Sequence, residues 1–242
     1  MSGPAAMDPA RAAATEHGGV SREVLIADDH PLFRDALTRA VLGALPGAVV
    51  HGAASVPSLL ALIEAHPQAE LLLMDLHMPG ARGFSALAHI RGQHPGLPIM
   101  VVSAHEEAAV VRRALAHGAS GYLAKSAAVE DIGAAVRAVL EGELWVPTDV
   151  AAARAELKPD EAAVAARLAE LTPQQFRVLG MIAEGLLNKQ IAYELGVSEA
   201  TIKAHMTAIM RKLGVSNRTQ VALAASQLAL DQAPLPAIPE DD

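Results

Sequence analysis

Short apolar runs alternate with longer stretches of helical periodicity, and the alternation repeats five times between residues 23 and 141. The runs are EVLIAD (23–28), AVVHGA (48–53), ELLLMD (70–75), PIMVVS (98–103) and GYLAK (121–125). Helix-period segments lie near 31–43, 55–65, 83–93, 106–117 and 128–141. Apolar runs without polar alternation predict strands buried on both faces. Strands separated by helices predict a parallel sheet covered on both sides. The expected fold over 22–144 is therefore a doubly wound α/β domain with a five-stranded parallel sheet.

The texture then changes. Residues 145–168 are Ala-rich and charged and carry no strand pattern, so they read as a linker with a helical turn or two before the next domain. From 169 to 230 the pattern is all helical. Thr172-Pro173-Gln174-Gln175 is a helix start: Thr caps, Pro suits the first turn, and Gln175 can close a capping box. NKQIAYELG and VSEATIKAHMTAIMRKLG follow, joined by a tight LGVS turn with Ser198 as the expected N-cap. Two helices meeting at such a turn predict a small all-α helix-turn-helix domain. Residues 1–21 are expected to be a flexible tail, and the Pro-rich, acidic 231–242 a disordered one.

Composition narrows the choices. The chain is 52% hydrophobic but only 2% aromatic, so its cores must be built from Leu, Val, Ile and Ala. It has no cysteine, which removes disulfides and thiolate metal sites. No apolar run reaches the roughly 18 residues of a membrane span, and the N-terminus lacks a signal-peptide core. The expectation is a cytoplasmic protein with no membrane partner. The net charge of -8 argues against a uniformly basic nucleic-acid binder. Residues 171–221, however, hold six Lys/Arg against three acids, so this segment carries +3 and the remainder -11. A basic module on an acidic body points to two domains with different partners.

Candidate chemistry collects at the strand ends. Asp28 and Asp29 end the first run, Asp75 the third, Ser103 the fourth and Lys125 the fifth. Sites in open parallel sheets form at that edge, where the strand order reverses, and the common order 2-1-3-4-5 makes strands one and three neighbours. Three converging carboxylates repel unless a cation joins them. Mg²⁺ suits such a set, because it takes few protein ligands and leaves room for phosphate oxygens. With Lys125 to neutralise and Ser103 to donate a hydrogen bond, the set fits phosphoryl transfer with Asp75 as the nucleophile.

VLIADDHPLFRDAL, LLLMDLHMPG, VVSAHE and GYLAKS resemble the receiver domain of two-component response regulators, a flavodoxin-like fold. The resemblance implies that Asp75 accepts a phosphoryl group from a sensor histidine kinase. It assigns Mg²⁺ to Asp28, Asp29, Asp75 and the backbone carbonyl of His77. It makes Ser103 the hydroxyl switch, Lys125 the phosphoryl-stabilising lysine and Tyr122 the rotating aromatic. Many receivers place Pro after the lysine; here Ser126 follows. His77 and His105 stand two residues beyond Asp75 and Ser103, positions that flank the phosphoryl group in receivers. Imidazoles there are expected to hinder the attacking water and prolong the phosphorylated state.

Residues 171–220 resemble the LuxR-type DNA-binding domain of NarL/FixJ regulators, most specifically in GLLNKQIA, VSEATIKAH and RKLGVSNRTQ. Gln174-Gln175 stands where that family commonly has Arg-Glu, which removes an ion pair within the domain. Ile202, Met206, Ile209, Met210 and Leu213 recur at helical spacing and should face the core. By the resemblance Lys203, Ala204 and Thr207 read bases, and Asn188, Lys189, Thr201, Arg211 and Arg218 contact the backbone. The expected function is a transcriptional regulator that dimerises and binds promoter DNA when phosphorylated, with RNA polymerase an open candidate partner. It is expected to catalyse nothing beyond its own phosphoryl acceptance and hydrolysis. A haloacid-dehalogenase-like phosphatase, the enzyme rival, needs a second Asp at the position held by His77. A receiver-like binding protein regulated without phosphate, the other rival, has no need of the full acidic set.

Overall fold

The computed structural model describes residues 22–147 and 159–228. The expected tails, residues 1–21 and 231–242, lie outside the described residues, as does the middle of the expected linker. The first half runs β1 (Glu23–Ala27), α1 (Pro31–Ala44), β2 (Val49–Ala53), α2 (Val56–Ala65), β3 (Leu71–Met74), α3 (Ser85–Gln93), β4 (Ile99–Ser103), α4 (Ala108–Ala116), β5 (Gly121–Ala124) and α5 (Val129–Leu140). All five strands are parallel, in the order β2-β1-β3-β4-β5. Each predicted element is present within a residue or two of its predicted ends.

Strand periodicity divides the core into two layers. Val24, Ile26, Leu71, Leu73, Met100, Val102 and Leu123 face α1 and α5. Leu25, Leu72, Met74, Ile99, Val101 and Tyr122 face the other side, toward α2, α3 and α4. β3 is buried at every position, so its register is fixed from both faces and the residue that follows it is held rigidly. The chain then turns at Pro79-Gly80. Gly80 sits at φ 96°, and a Cβ there would run into the Pro57 ring. Glycine is the residue that meets both demands.

The second half is helical: α6 (Pro159–Ala169), α7 (Pro173–Ala183), α8 (Asn188–Glu194), α9 (Glu199–Leu213) and α10 (Arg218–Ser226). Thr172 caps α7 through the predicted box with Gln175, and Ser198 caps α9 by accepting from Thr201 N at 3.1 Å. Gln175 Oε1 also accepts from Lys212 Nζ at 2.8 Å. A neutral hydrogen-bond acceptor thus joins α7 to the end of α9.

The linker is more structured than its sequence suggests. Trp145 lies beside β5, where its carbonyl accepts from Tyr122 N at 2.8 Å. Residues 159–169 form a three-turn helix rather than a helical turn or two. Val164 and Leu168, four positions apart, are buried and pull α6 onto α3 and α9. An apolar pair at helical spacing is enough to fix a short helix when its partner surface is already built.

The two halves dock closely. Glu161 of α6 takes hydrogen bonds from Arg113 (2.8 and 3.0 Å) and pairs with His117 Nε2 at 2.8 Å, both from the α4 segment. Arg177 of α7 donates to Pro57 O at 2.8 Å, and Phe84 N donates to Leu228 O at 2.8 Å. His89 of α3 is fully buried, donates Nδ1–H to Leu168 O at 3.0 Å and stacks on Phe176 at 4.1 Å. A carbonyl only accepts, so the ring carries its proton on Nδ1; Nε2 is buried without a partner.

Burial pushes the His89 imidazole down to about 4, with the Leu168 hydrogen bond acting weakly the other way. A base whose value is lowered from 6.5 imposes no penalty above that pH. The penalty grows as pH falls below 6.5 and levels off below about 4, where it reaches about 3 kcal/mol. Denaturant unfolding of the full chain at pH 7.5 and at pH 4.5 should show this loss, and His89→Gln should lose less over the same interval. Equal acid sensitivity in the two proteins would assign the loss to other groups.

Candidate functional site

Backbone pairing brings the strand ends together. Ala27 pairs with Met74 across β1 and β3, and Asp75 N donates to Ala27 O at 2.9 Å. Asp28 and Asp75 therefore emerge side by side. On the next strands Ser103 pairs with Ala124, and Lys125 N donates to Ser103 O at 2.8 Å. The parallel order carries Asp28, Asp75, Ser103 and Lys125 to one edge without any long-range side-chain bond. Asp28, Asp75 and Ser103 are buried, and Asp29 beside them is half-buried.

Lys125 bridges the buried carboxylates, with Nζ 2.7 Å from Asp28 Oδ2 and 2.9 Å from Asp75 Oδ2. Burial works to lower its ammonium, but the contacts with Asp28 and Asp75 outweigh it and hold the group above the ordinary lysine value. Phe33 supports it from α1, with its ring centre 4.9 Å from Nζ. Ser103 Oγ accepts from His105 N at 3.2 Å. Tyr122 is fully buried and donates its hydroxyl to His105 O at 2.6 Å. Burial pushes the Tyr122 phenol up to about 12, so it stays a neutral donor. His77, two residues past Asp75, is exposed and stacks on His105 at 5.1 Å, joining the loops after β3 and β4.

The donor set suits a hard divalent ion. Asp28, Asp29, His30 and Asp75 each offer a ligand atom within 4.8 Å of the others. Asp28 Oδ2 is met by Lys125 Nζ at 2.7 Å and Asp29 Oδ1 by His30 Nδ1 at 2.7 Å, with no further hydrogen-bond donor on either among the described residues. Carboxylate oxygens left this way fit Mg²⁺. His30 was not singled out by sequence. Its N–H donates to Asp28 Oδ1 at 2.8 Å, and its Nδ1 lies 2.7 Å from Asp29 Oδ1. Its place directly after the Asp pair, as the cap of α1, was the available signal.

Glu23, His51 and His66 also bring metal-type donors within 4.8 Å, near the start of β1. Their imidazoles stack face to face at 3.6 Å, and His66 Nδ1 pairs with Glu23 Oε2 at 3.1 Å. Two rings on one tetrahedral ion, with Zn–N near 2.0–2.1 Å, hold their centres about 5 Å apart. The cluster is a stacked histidine pair rather than a preformed metal site.

In the helical half, α9 turns Ile202, Met206, Ile209 and Leu213 into the core and leaves Met210 half-buried. Thr201, Lys203, Ala204, Thr207 and Arg211 are exposed, as is Lys189 of α8. Thr207 donates its hydroxyl to Lys203 O at 3.0 Å. Asn188 and Arg218 are half-buried and bonded to each other at 3.0 Å, with Arg218 also donating to Leu186 O. Those two pin the start of α10 to α8; the other predicted DNA residues are exposed.

Residues 24–137 match the response regulator receiver domain model, and residues 169–225 match that of the bacterial regulatory proteins, luxR family. A Pseudomonas putida protein named glycerol metabolism activator is 37% identical over 211 residues, covering 85% of this chain and 96% of that protein. The nitrate/nitrite response regulator protein NarL of Escherichia coli K12 is 34% identical over 205 residues, covering 83% and 93%. Among solved structures, a Salmonella typhimurium RcsB response regulator is 28% identical and covers 86% of this chain and 98% of its own. It superposes at a TM-score of 0.47, so its domain arrangement lends nothing to the one described above. With a receiver sheet, a LuxR-type helical domain and relatives matched over nearly their whole length, the chain belongs to the NarL/FixJ family of response regulators, DNA-binding regulators of transcription.

Proposed function

We propose that Asp75 is the phosphoacceptor and that a sensor histidine kinase is the donor. The observation that carries this reading is the convergence of Asp28, Asp75, Ser103 and Lys125 at one sheet edge, with Lys125 bridging the two buried carboxylates. An Asp75 oxygen attacks the phosphorus, the P–N bond to the kinase histidine breaks, and the imidazole departs as the neutral base after taking up a proton. Asp28, Asp29, Asp75 and the His77 carbonyl would hold Mg²⁺, which supplies charge neutralisation for the phosphoryl oxygens. Lys125 moves from bridging carboxylates to meeting the phosphoryl group. Ser103 turns its hydroxyl toward the new acceptor, and Tyr122 follows because its bond to His105 O lies on the same loop.

In the helical half, Lys203, Ala204 and Thr207 meet base edges, and Lys189, Thr201 and Arg211 meet phosphates. Asn188 and Arg218 belong to the backbone contacts through the α8–α10 corner they hold together. Phosphorylation promotes dimerisation on paired half-sites of promoter DNA, which places the protein in the cytoplasm. Phosphorylation can shift the resting state only as far as it distinguishes the two states.

Incubation with a small-molecule phosphodonor tests the first half. Wild type should incorporate phosphate only with Mg²⁺, and Asp75→Ala should incorporate none; Mg²⁺-independent labelling would sink the reading. His77→Ala and His105→Ala should each shorten the life of the phosphorylated form, followed by loss of label. On a bound promoter fragment, Lys203→Ala should cost about 1–3 kcal/mol and relax sequence preference. Arg211→Ala should weaken all sequences alike and reduce the salt slope by about 1. Equal, sequence-independent losses in both would place Lys203 on a phosphate instead.

A further inference from the structure

We propose that Glu23, His51 and His66 take up a transition ion of the Zn²⁺ class, which parts the stacked rings and ties β1, β2 and the end of α2 together. The proposal is independent of the phosphoryl reading. Glu23 begins β1, and Asp28 follows the end of that strand, so the two clusters occupy opposite ends of the sheet.

The fold delivers the three side chains to one point. Glu23 and Leu25 lie two positions apart on β1 and share a face of the sheet, the one that packs toward α2. His51 pairs with Leu25 in the β1–β2 ladder and shares that face. His66 closes α2 as its C-cap, on the same side. The backbone around them is tied down. His66 N donates to Leu62 O at 3.0 Å, Ala69 N to His66 O at 3.1 Å and Glu70 N to Glu23 O at 2.8 Å. Each of the three residues offers a ligand atom within 4.8 Å of the other two.

At rest the rings are stacked, so the ion itself completes the site. Two observations favour this over a stack with no further role. His51 Nε2 is buried and has no hydrogen-bond partner among the described residues, a costly arrangement that a metal bond relieves. His66 also has room to move. It borders an open cleft of about 330 Å³, lined further by Pro67, Ala69, His94 and Leu97. Ring centres at 3.6 Å must part by about 1.4 Å to reach the spacing that two imidazoles adopt on one tetrahedral ion. The cleft supplies that space without moving the backbone.

His66 Nδ1 now meets Glu23 Oε2 at 3.1 Å. A carboxylate only accepts, so this nitrogen carries a proton. On binding, that proton passes through solvent to Nε2, and the freed Nδ1 lone pair faces the ion. Glu23 then supplies an oxygen to the ion in place of accepting the hydrogen bond. Two imidazoles, one carboxylate and a water complete a tetrahedral Zn²⁺ set. Nitrogen donors select such ions, whereas Mg²⁺ takes oxygen ligands and suits the carboxylates around Asp75.

Co²⁺ is the probe, because tetrahedral nitrogen and oxygen ligands give it strong visible absorption. The full-length chain, without an affinity tag, is titrated with Co²⁺ in excess Mg²⁺, which fills the carboxylate edge. One equivalent should bind with that absorption and be displaced by Zn²⁺. His51→Gln and His66→Gln should each weaken binding about 100-fold or more. His77→Gln, at the opposite edge, should leave it unchanged. Zn²⁺ should raise the unfolding temperature of wild type and not that of the His51 and His66 variants. Cooperative unfolding of both variants without Zn²⁺ shows that they fold. Absence of tetrahedral absorption in wild type, or full affinity in either His51→Gln or His66→Gln, would overturn the proposal. Loss in His77→Gln in their place would put the ion at the other edge and overturn it equally.

Discussion

Asp28 and Asp75 are both buried, lie side by side, and are balanced by one ammonium, that of Lys125. Removing one partner from such a group leaves an uncompensated buried charge, at a cost of about 3–5 kcal/mol. The strand order is what brings these groups together. β1 and β3 must be neighbours for the carboxylates to meet, and β5 must lie two strands from β3 for the lysine to reach across. The fully apolar β3 gives Asp75 no freedom to move away from its neighbours. The site is therefore electrostatically loaded at rest, with Lys125 standing where added charge on Asp75 would recruit it.

That load is connected to the helical half by short routes. The loop after β3 runs from Asp75 through His77 and Gly80 to Phe84, and its far end touches α7 and Leu228. The loop after β4 carries His105, which binds Tyr122 through its carbonyl and Ser103 through its N–H. Beyond it, α4 and its C-cap present Arg113 and His117 to Glu161. Burial holds the His117 imidazole below its ordinary value, and its bond to Glu161 only partly offsets this. Both loops leave the same sheet edge, and each leads to a contact between the two halves.

The sheet and the acidic edge were legible because each rests on a local rule. Apolar runs mark buried strands, and a polar residue directly after such a run sits at the sheet edge; Asp28, Asp75, Ser103 and Lys125 each obey this. The caps at Thr172 and Ser198 were equally local. What escaped depends on partners far apart in sequence. α6 looked like linker because Val164 and Leu168 are lost among alanines until α3 and α9 give them a surface to cover. The bonds from Arg218 to Asn188 and Leu186, which hold the α8–α10 corner, likewise join residues about thirty positions apart. His89 gave no signal of its own, since its meaning comes from Leu168 and Phe176 in the other half of the chain. His30 is the exception, a neighbour of the acidic pair whose role was within reach of the sequence.

On the proposed reading, Asp75 alone among three crowded aspartates carries the phosphoryl group. Borohydride reduction of the phosphodonor-treated chain converts an aspartyl phosphate to homoserine, which peptide mass spectrometry places at one residue. Homoserine is expected at position 75, dependent on Mg²⁺ during labelling. Homoserine at position 28 or 29, or at no aspartate, would contradict it.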